Sequence, residues 1–239
     1  MENEARTRIC TVLERWMAGV GDLRQHCDRC LDTRRWGGSV VLMVLDAAFT
    51  SIGLNYFTAV VPAVRRFERE FIDTGRVVGL RHLAGIDLGQ ALPVWRNGRS
   101  WDVARGVAAY LADLAHARGL DDRQALRRWA ADTSVGWWKD DPVGRVRGVG
   151  VATFQYLRMM GGVDTVMPDK IVRRVIRQVL HEAEVGLPVE GDLDLVDAVG
   201  LLGRACGYRA VELCWMTWML QREGAMVRMD KYRDILGKI

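Results

Sequence analysis

No run of about 18 uncharged apolar residues, the length a helix needs to cross a bilayer, occurs anywhere in this chain. Val40 to Leu45 is too short to span, and no cationic signal region with a cleavage site precedes it. Residues 1 to 20 read as an amphipathic helix rather than a secretion signal, so no membrane partner is expected. Cysteine is scarce and odd in number, five in 239 residues. That count argues against a secreted disulfide scaffold and for a reducing, cytoplasmic setting. The pair Cys27 and Cys30, preceded by His26, lacks the second pair that a zinc site needs, so free thiols and no metal are expected. The remaining histidines, His82, His116 and His181, show no pairing by spacing. Period-2 apolar alternation bounded by turns is missing, as are internal repeats, low-complexity tracts and long linkers.

What is present is ordinary globular composition, 49% hydrophobic and 27% charged, in a chain long enough to bury a core in one domain or two small lobes. Apolar residues recur at helical spacing almost throughout, and the chain reads as all-α. Helices are expected over Glu2–Gly19, Gly38–Phe49, Asn55–Ile72, Leu88–Trp95, Ser100–Arg118, Arg123–Ala131, Val143–Val146, Val151–Met160, Lys170–Glu182, Leu193–Ala205 and Arg209–Gln221. Ser100 and Asp141 are candidate caps, the latter followed by Pro142 at a first helical position. Net charge is +4, a weak pointer to an anionic partner by itself. The distribution is sharper, because Arg145, Arg147, Arg158, Lys170, Arg173, Arg174 and Arg177 fall close together. The basic run Arg222 to Lys238 reads as a solvated helix face, with Arg228 and Lys231 as possible phosphate contacts.

The segment from Arg147 to Val175 carries the most chemistry. Gly148-Val149-Gly150 precedes a helical pattern, and glycine there permits positive φ and close backbone approach. Amides of Gly148, Gly150 and Val151 at a helix N-terminus form a grip for an anion. Taken alone, the same pattern is also a plain tight turn between helices. Further on, Pro168 forces Met167 to be extended, and Asp169 opens an amphipathic helix as its N-cap or first-turn residue. The helix dipole there favours an ionised carboxylate; Asp164 reads as a residue of the preceding turn.

Together these residues resemble the helix–hairpin–helix DNA glycosylase superfamily, which includes endonuclease III, the adenine-mismatch glycosylase and the 3-methyladenine glycosylases. Gly148-Val149-Gly150-Val151-Ala152-Thr153 is similar to the family's hairpin, and Asp169-Lys170-Ile171-Val172-Arg173-Arg174-Val175 to its aspartate helix. Trp95-Arg96-Asn97-Gly98-Arg99 resembles the family's aromatic-Arg-Asn turn, and Val41 to Thr58, with Asn55, its early helix and DNA-facing loop. The likeness spans about residues 40 to 180 and is most specific in the last thirty.

The resemblance implies two helical lobes with a central cleft and a helix–hairpin–helix followed by a Gly/Pro-Asp loop. One lobe would be residues 40–163; the other would combine 1–39 with 164–239. It further implies a monomer that binds double-stranded DNA and flips a damaged or modified base. Asp169 would be catalytic, with Gly148, Gly150, Val151, Thr153, Lys170, Arg173 and Arg147 holding the DNA backbone. At the position of the lysine that gives some family members their strand-cleaving lyase step, this chain has Ala152. A monofunctional, cofactor-free glycosylase is therefore expected, with Lys170 and Lys139 as the only substitute nucleophiles considered. The four-cysteine iron–sulfur loop of some members is missing, since only Cys206 and Cys214 lie in that half.

Nine tryptophans offer both core and pocket material. Trp137, Trp138, Trp215 and Trp218 are candidates for the base pocket, and Phe49 for a wedge that fills the vacated stack, each with a core reading beside it. Electron-rich rings favour a cationic alkylated base slightly. Mismatched thymine or uracil, or a non-catalytic role in binding distorted DNA, are the alternatives.

Overall fold

The computed structural model describes residues 3–20, 23–220, 237 and 239, so the Arg222 to Lys238 reading lies almost wholly outside the described residues. Every regular element among them is helical. The chain forms two compact units. One is continuous, Asp32 to Val163, with Ile239. The other combines the described residues up to Leu31 with those from Asp164 to Leu220 and Gly237. The first boundary thus falls eight residues before residue 40, because the segment from Asp32 to Ser39 is tied to the continuous unit by buried polar contacts.

The continuous unit contains α3 (Val40–Thr50), α4 (Val61–Phe67), α5 (Leu80–Ala84), α6 (Leu88–Ala91), α7 (Gly98–Arg118), α8 (Asp122–Asp132) and α9 (Val151–Met160). Helix α3 is the centre. Its residues from Val40 to Phe49 are all buried, and it packs against α7, α9 and α4. A helix apolar on every face can only be an interior one. Helix α4 is flanked by wide π-turns at Tyr56–Val60 and Glu68–Ile72. Pro62, just inside α4, has no N–H to return to the preceding turn, which accounts for the widening ahead of it. Helix α7 starts at Asn97, whose side chain accepts from the Ser100 amide at 2.9 Å, and ends at Gly119 in the left-handed region. Asn97, not Ser100, is therefore the cap.

Asp46, in the middle of α3, is fully buried with Arg35, and both side chains are 0% exposed. Arg35 Nη2 lies 2.9 Å from Asp46 Oδ2, 2.7 Å from the Tyr56 hydroxyl and 2.8 Å from that of Tyr156. Trp36 Nε1 donates to the same carboxylate oxygen at 2.8 Å, and the two tyrosine hydroxyls approach it at 3.1 Å. Burial pushes the Tyr56 and Tyr156 hydroxyls up from their ordinary pKa, so both remain protonated and able to donate. Trp36 has φ +53°, a left-handed conformation that favours glycine, and Gly37 and Gly38 continue it. The short 3-10 turn Arg35–Gly38 is held in that shape while two adjacent side chains serve one carboxylate.

The other unit is built from α1 (Asn3–Ala18), α2 (Arg24–Leu31), α10 (Lys170–Glu182), α11 (Asp192–Cys206) and α12 (Ala210–Met219). Helix α10 buries Val172, Val175, Ile176, Val179 and Leu180 along one stripe. Asp164 accepts from the Val211 amide at 3.0 Å and so caps α12 rather than bending its own turn. Cys10 on α1 and Cys206 at the end of α11 are joined by a disulfide. The odd cysteine count excluded complete pairing but not one bond, and because disulfides are rare in reducing compartments it no longer argues for one. Cys27, Cys30 and Cys214 are buried and in no disulfide among the described residues, and burial pushes the Cys27 thiol up. Among the described residues no group of three or more His, Cys, Asp or Glu side chains is arranged to hold a metal, and no helix is long and apolar enough to cross a membrane.

Two helical expectations change and two helices are new. Residues 143–146 form successive turns instead of a helix, with Asp141 Oδ1 accepting from the Val143 amide at 2.8 Å in place of a helix cap. The helix expected over Leu88–Trp95 stops at Ala91, because Leu92 precedes a proline. Helices α2 and α5 are additional.

Removing one partner of a buried ion pair leaves the other charge desolvated and unpaired, at a cost of about 3–5 kcal/mol. We expect Asp46→Asn to lower stability to urea by that order, whereas Arg128→Gln, which breaks the exposed pair with Asp132, costs about 0.5 kcal/mol or less.

Candidate functional site

In the continuous unit, the candidate site is the start of α9. Gly150 is its N-cap, in an extended conformation at φ −108°, and no side chain caps the helix. The first helical bond runs from the Phe154 amide to the Gly150 carbonyl at 3.0 Å. The amides of Gly150, Val151, Ala152 and Thr153 consequently have no acceptor among the described residues, as the geometry of a helix start requires. Gly150 is exposed, and a Cβ built on it would meet nothing within 4 Å. Ala152 is half-buried and Val151 and Thr153 are buried, so the exposed part of this donor set is at Gly150; unpaired amides at the positive end of a ten-residue helix have the chemistry of an anion site.

The approach to this helix start is rigid. Gly148 has φ +103°, and a Cβ there would lie 2.9 Å from Val103 Cγ2 and 3.2 Å from Arg99 Nε. Conformation and space both require glycine at 148. Neither requires it at 150. Val149 is buried, its amide donating to the Val146 carbonyl at 2.9 Å, and Arg147 is exposed. Thr153 is 5% exposed, so its side chain is not presented to solvent. Ala152, half-buried on the first turn of α9, carries no amine where a lyase would need one.

In the other unit, Asp169 is the N-cap of α10. Its Oδ1 accepts from the amides of Ile171 at 2.7 Å and Val172 at 2.8 Å. Oδ2 has no hydrogen-bond partner among the described residues. Two effects oppose each other at this carboxyl. Burial raises its pKa, while the two amides and the nearby Lys170 and Arg173 lower it, and the net direction is upward. The sequence reading weighed only the helix terminus, which favours ionisation; burial outweighs it.

The basic residues divide. Lys170 is exposed and free of ion pairs among the described residues. Arg173 is not available: its guanidinium donates to the Val189 carbonyl at 2.6 Å, to the Glu190 carbonyl and to the Asp192 carboxylate. It fastens α10 to the loop before α11. Arg177 does the same through both carboxylate oxygens of Glu190, each at 2.8 Å.

The aromatic candidates separate by exposure. Phe49 is 0% exposed, stacked on Trp95 with centroids 4.6 Å apart and edge-on to Trp101 at 5.1 Å. It is a core residue and cannot serve as a wedge. Trp215 is buried beside His26, and Trp218 is half-buried. Trp138 is half-buried against Phe154 of α9, with the Lys139 ammonium 5.8 Å from its ring centroid. Trp137 is 72% exposed, on the 3-10 turn Val135–Trp137 that packs against α9. Of the five, it alone presents its ring to solvent.

Sequence reasoning passed over Arg99 as a site residue, although it follows Asn97, the cap of α7; nothing in the spacing links residue 99 to 148. Comparison of the chain with protein-family models, with curated proteins and with solved structures found no match.

A carboxyl whose pKa is raised on folding contributes fully to stability below its unfolded value, about 3.9, and that contribution is lost as pH rises through the folded value. Asparagine caps a helix as well as aspartate does. We therefore expect Asp169→Asn to melt at or above the parent temperature at pH 7, with the difference vanishing at acid pH. Asp169→Ala loses the cap as well and should fall below Asp169→Asn by about 1 kcal/mol.

Proposed function

We propose that this chain is a monofunctional DNA glycosylase, which hydrolyses the N-glycosidic bond of a damaged or modified base flipped out of double-stranded DNA. The observation that carries the reading is the uncapped start of α9, exposed at Gly150 and held behind a glycine that can be nothing else. Its support is a second helix opened by an aspartate that keeps one oxygen uncommitted. In this reading the DNA backbone rests on the α9 amides, with Arg147 and Lys170 as further cationic contacts. Arg173 drops out of the set. The target nucleotide is flipped out of the duplex so that its sugar meets Asp169.

The chemistry follows from one carboxylate. As the bond from C1′ to the base nitrogen breaks, its electron pair leaves with the base and positive charge develops on the sugar. Asp169 stabilises that charge and accepts a proton from the water whose oxygen adds to C1′. An alkylated base, already cationic, is the favoured leaving group because the site offers no dedicated acid to protonate a neutral one. Ala152 cannot form a Schiff base, so the strand stays intact and an abasic site results. The protein would act as a monomer, without a cofactor, in the compartment that holds the DNA. Removal of mismatched thymine or uracil is the second reading.

A panel of duplexes, each with one defined lesion, should yield free base and abasic sites for at least one lesion, with no covalent adduct on borohydride trapping. Asp169→Asn should abolish release while retaining binding. Because burial raises the Asp169 pKa, the acid limb of the rate profile should lie above the ordinary carboxylate value of about 4. Release by Asp169→Asn at the parent rate would refute the assigned role.

Gly150→Ala gives an independent check. The methyl group meets no protein atom and the backbone conformation suits any residue, so the fold is undisturbed. It would stand where a phosphate approaches. We expect unchanged melting and duplex binding weakened about tenfold, the loss of roughly one charge-assisted hydrogen bond. Unweakened binding would remove the α9 start from the interface.

A further inference from the structure

We infer that Arg99 is part of the same DNA-backbone grip, supplying a charge that the α9 amides lack; this rests on the proposed function. Helix α7 lies along the turn that leads into α9. A Cβ on Gly106 would come 2.6 Å from Val146 Cγ1, and Gly148 leaves no room for a side chain against Val103 and Arg99. Residues 99, 103 and 106 thus form one helical stripe on which Val146 to Gly148 sits. Arg99 occupies the solvent end of that stripe. Its Nε is 3.2 Å from where a side chain at 148 would begin, so the guanidinium is seated in the space that the obligatory glycine leaves open. Gly148 is two residues from Gly150, and two residues span at most about 7 Å.

Among the described residues no carboxylate pairs with this charge. Arg66, Arg81, Arg128 and Arg145 of the same unit all face carboxylates, in pairs with Glu70, Asp113, Asp132 and Asp140. Arg99 is exposed and has no such pair among the described residues, although Asp102 lies one turn along the same helix. A guanidinium near the exposed Gly150 end of α9, with no carboxylate partner among the described residues, suits the oxygens of a phosphodiester. The amides supply direction and Arg99 supplies net charge, so the two contributions respond differently to salt. Neutralising one phosphate contributes about 0.9 to the slope of log K against log salt for duplex DNA, whereas uncharged amides contribute little.

The test is the binding of a lesion-free duplex, followed by fluorescence anisotropy between about 50 and 200 mM salt. Arg99→Gln should weaken binding several-fold and reduce the slope by about 0.9, while Arg99→Lys should keep the parent slope. Arg128→Gln, which removes a charge already paired with Asp132, should leave the slope unchanged. A parent slope retained in Arg99→Gln would overturn the role of Arg99 while leaving the DNA reading intact. Equal losses in Arg99→Gln and Arg128→Gln would show a net-charge effect and overturn it too. Absence of salt-dependent binding by the parent protein would overturn both readings together. All these positions are exposed, and unchanged melting separates a lost contact from a lost fold.

Discussion

The continuous unit depends on one buried carboxylate. Asp46 sits in the middle of a helix that is otherwise apolar on every face, and four side chains from three other segments converge on it. Burying an ion pair costs desolvation of both partners, so the pair is not a simple gain in stability. Its effect is directional. Arg35 and Trp36 fix the chain that enters α3, Tyr56 fixes the turn that follows it, and Tyr156 fixes α9. Any displacement of α9 along its axis would draw a tyrosine hydroxyl away from a charge with no water to replace it. The α9 start, where the open amides lie, is one and a half turns from Tyr156 and inherits that constraint.

Much of the helical framework was legible in the sequence because long amphipathic patterns decide it. Helices α9 and α10 run over the residues that periodicity predicts, each beginning where Gly150 and Asp169 stop the preceding chain from being helical. Helix α2 was not legible. Its buried face is His26, Cys27 and Cys30, residue types that draw attention as possible ligands and are easily passed over as core. The short pattern at Val143–Val146 misled in the other direction: four residues can be apolar at helical spacing and still be turns, since closing a first helical turn is unfavourable without further bonds to follow.

The candidate site was partly legible, for a similar reason. Local features could be read, namely the glycines at 148 and 150, the alanine at 152 and the aspartate at 169. Features that depend on distant partners could not. Arg173 looked like a phosphate ligand because its partners, the Val189 and Glu190 carbonyls, are backbone atoms that no pattern announces. Phe49 carries both a core and a wedge reading in the sequence, and only its contacts with Trp95 and Trp101 decide for the core. Arg99 was the reverse case, a residue given importance only by the glycine it packs against. The distinction between Gly148 and Gly150 is likewise tertiary: the same residue type in both places, one is demanded by the fold and the other is not.

The division of the chain also orders its assembly in time. As the polypeptide leaves the ribosome, α1 and α2 emerge first, yet the helices they pack against, α10, α11 and α12, are the last of the described helices to be made. The segment between them, Asp32 to Val163, makes up the other unit apart from Ile239. It can close around Asp46 while the first thirty residues still wait, exposed, for partners not yet translated. The link from Cys10 to Cys206 then records that late event covalently, since it can form only after the whole of the intervening chain has been synthesised.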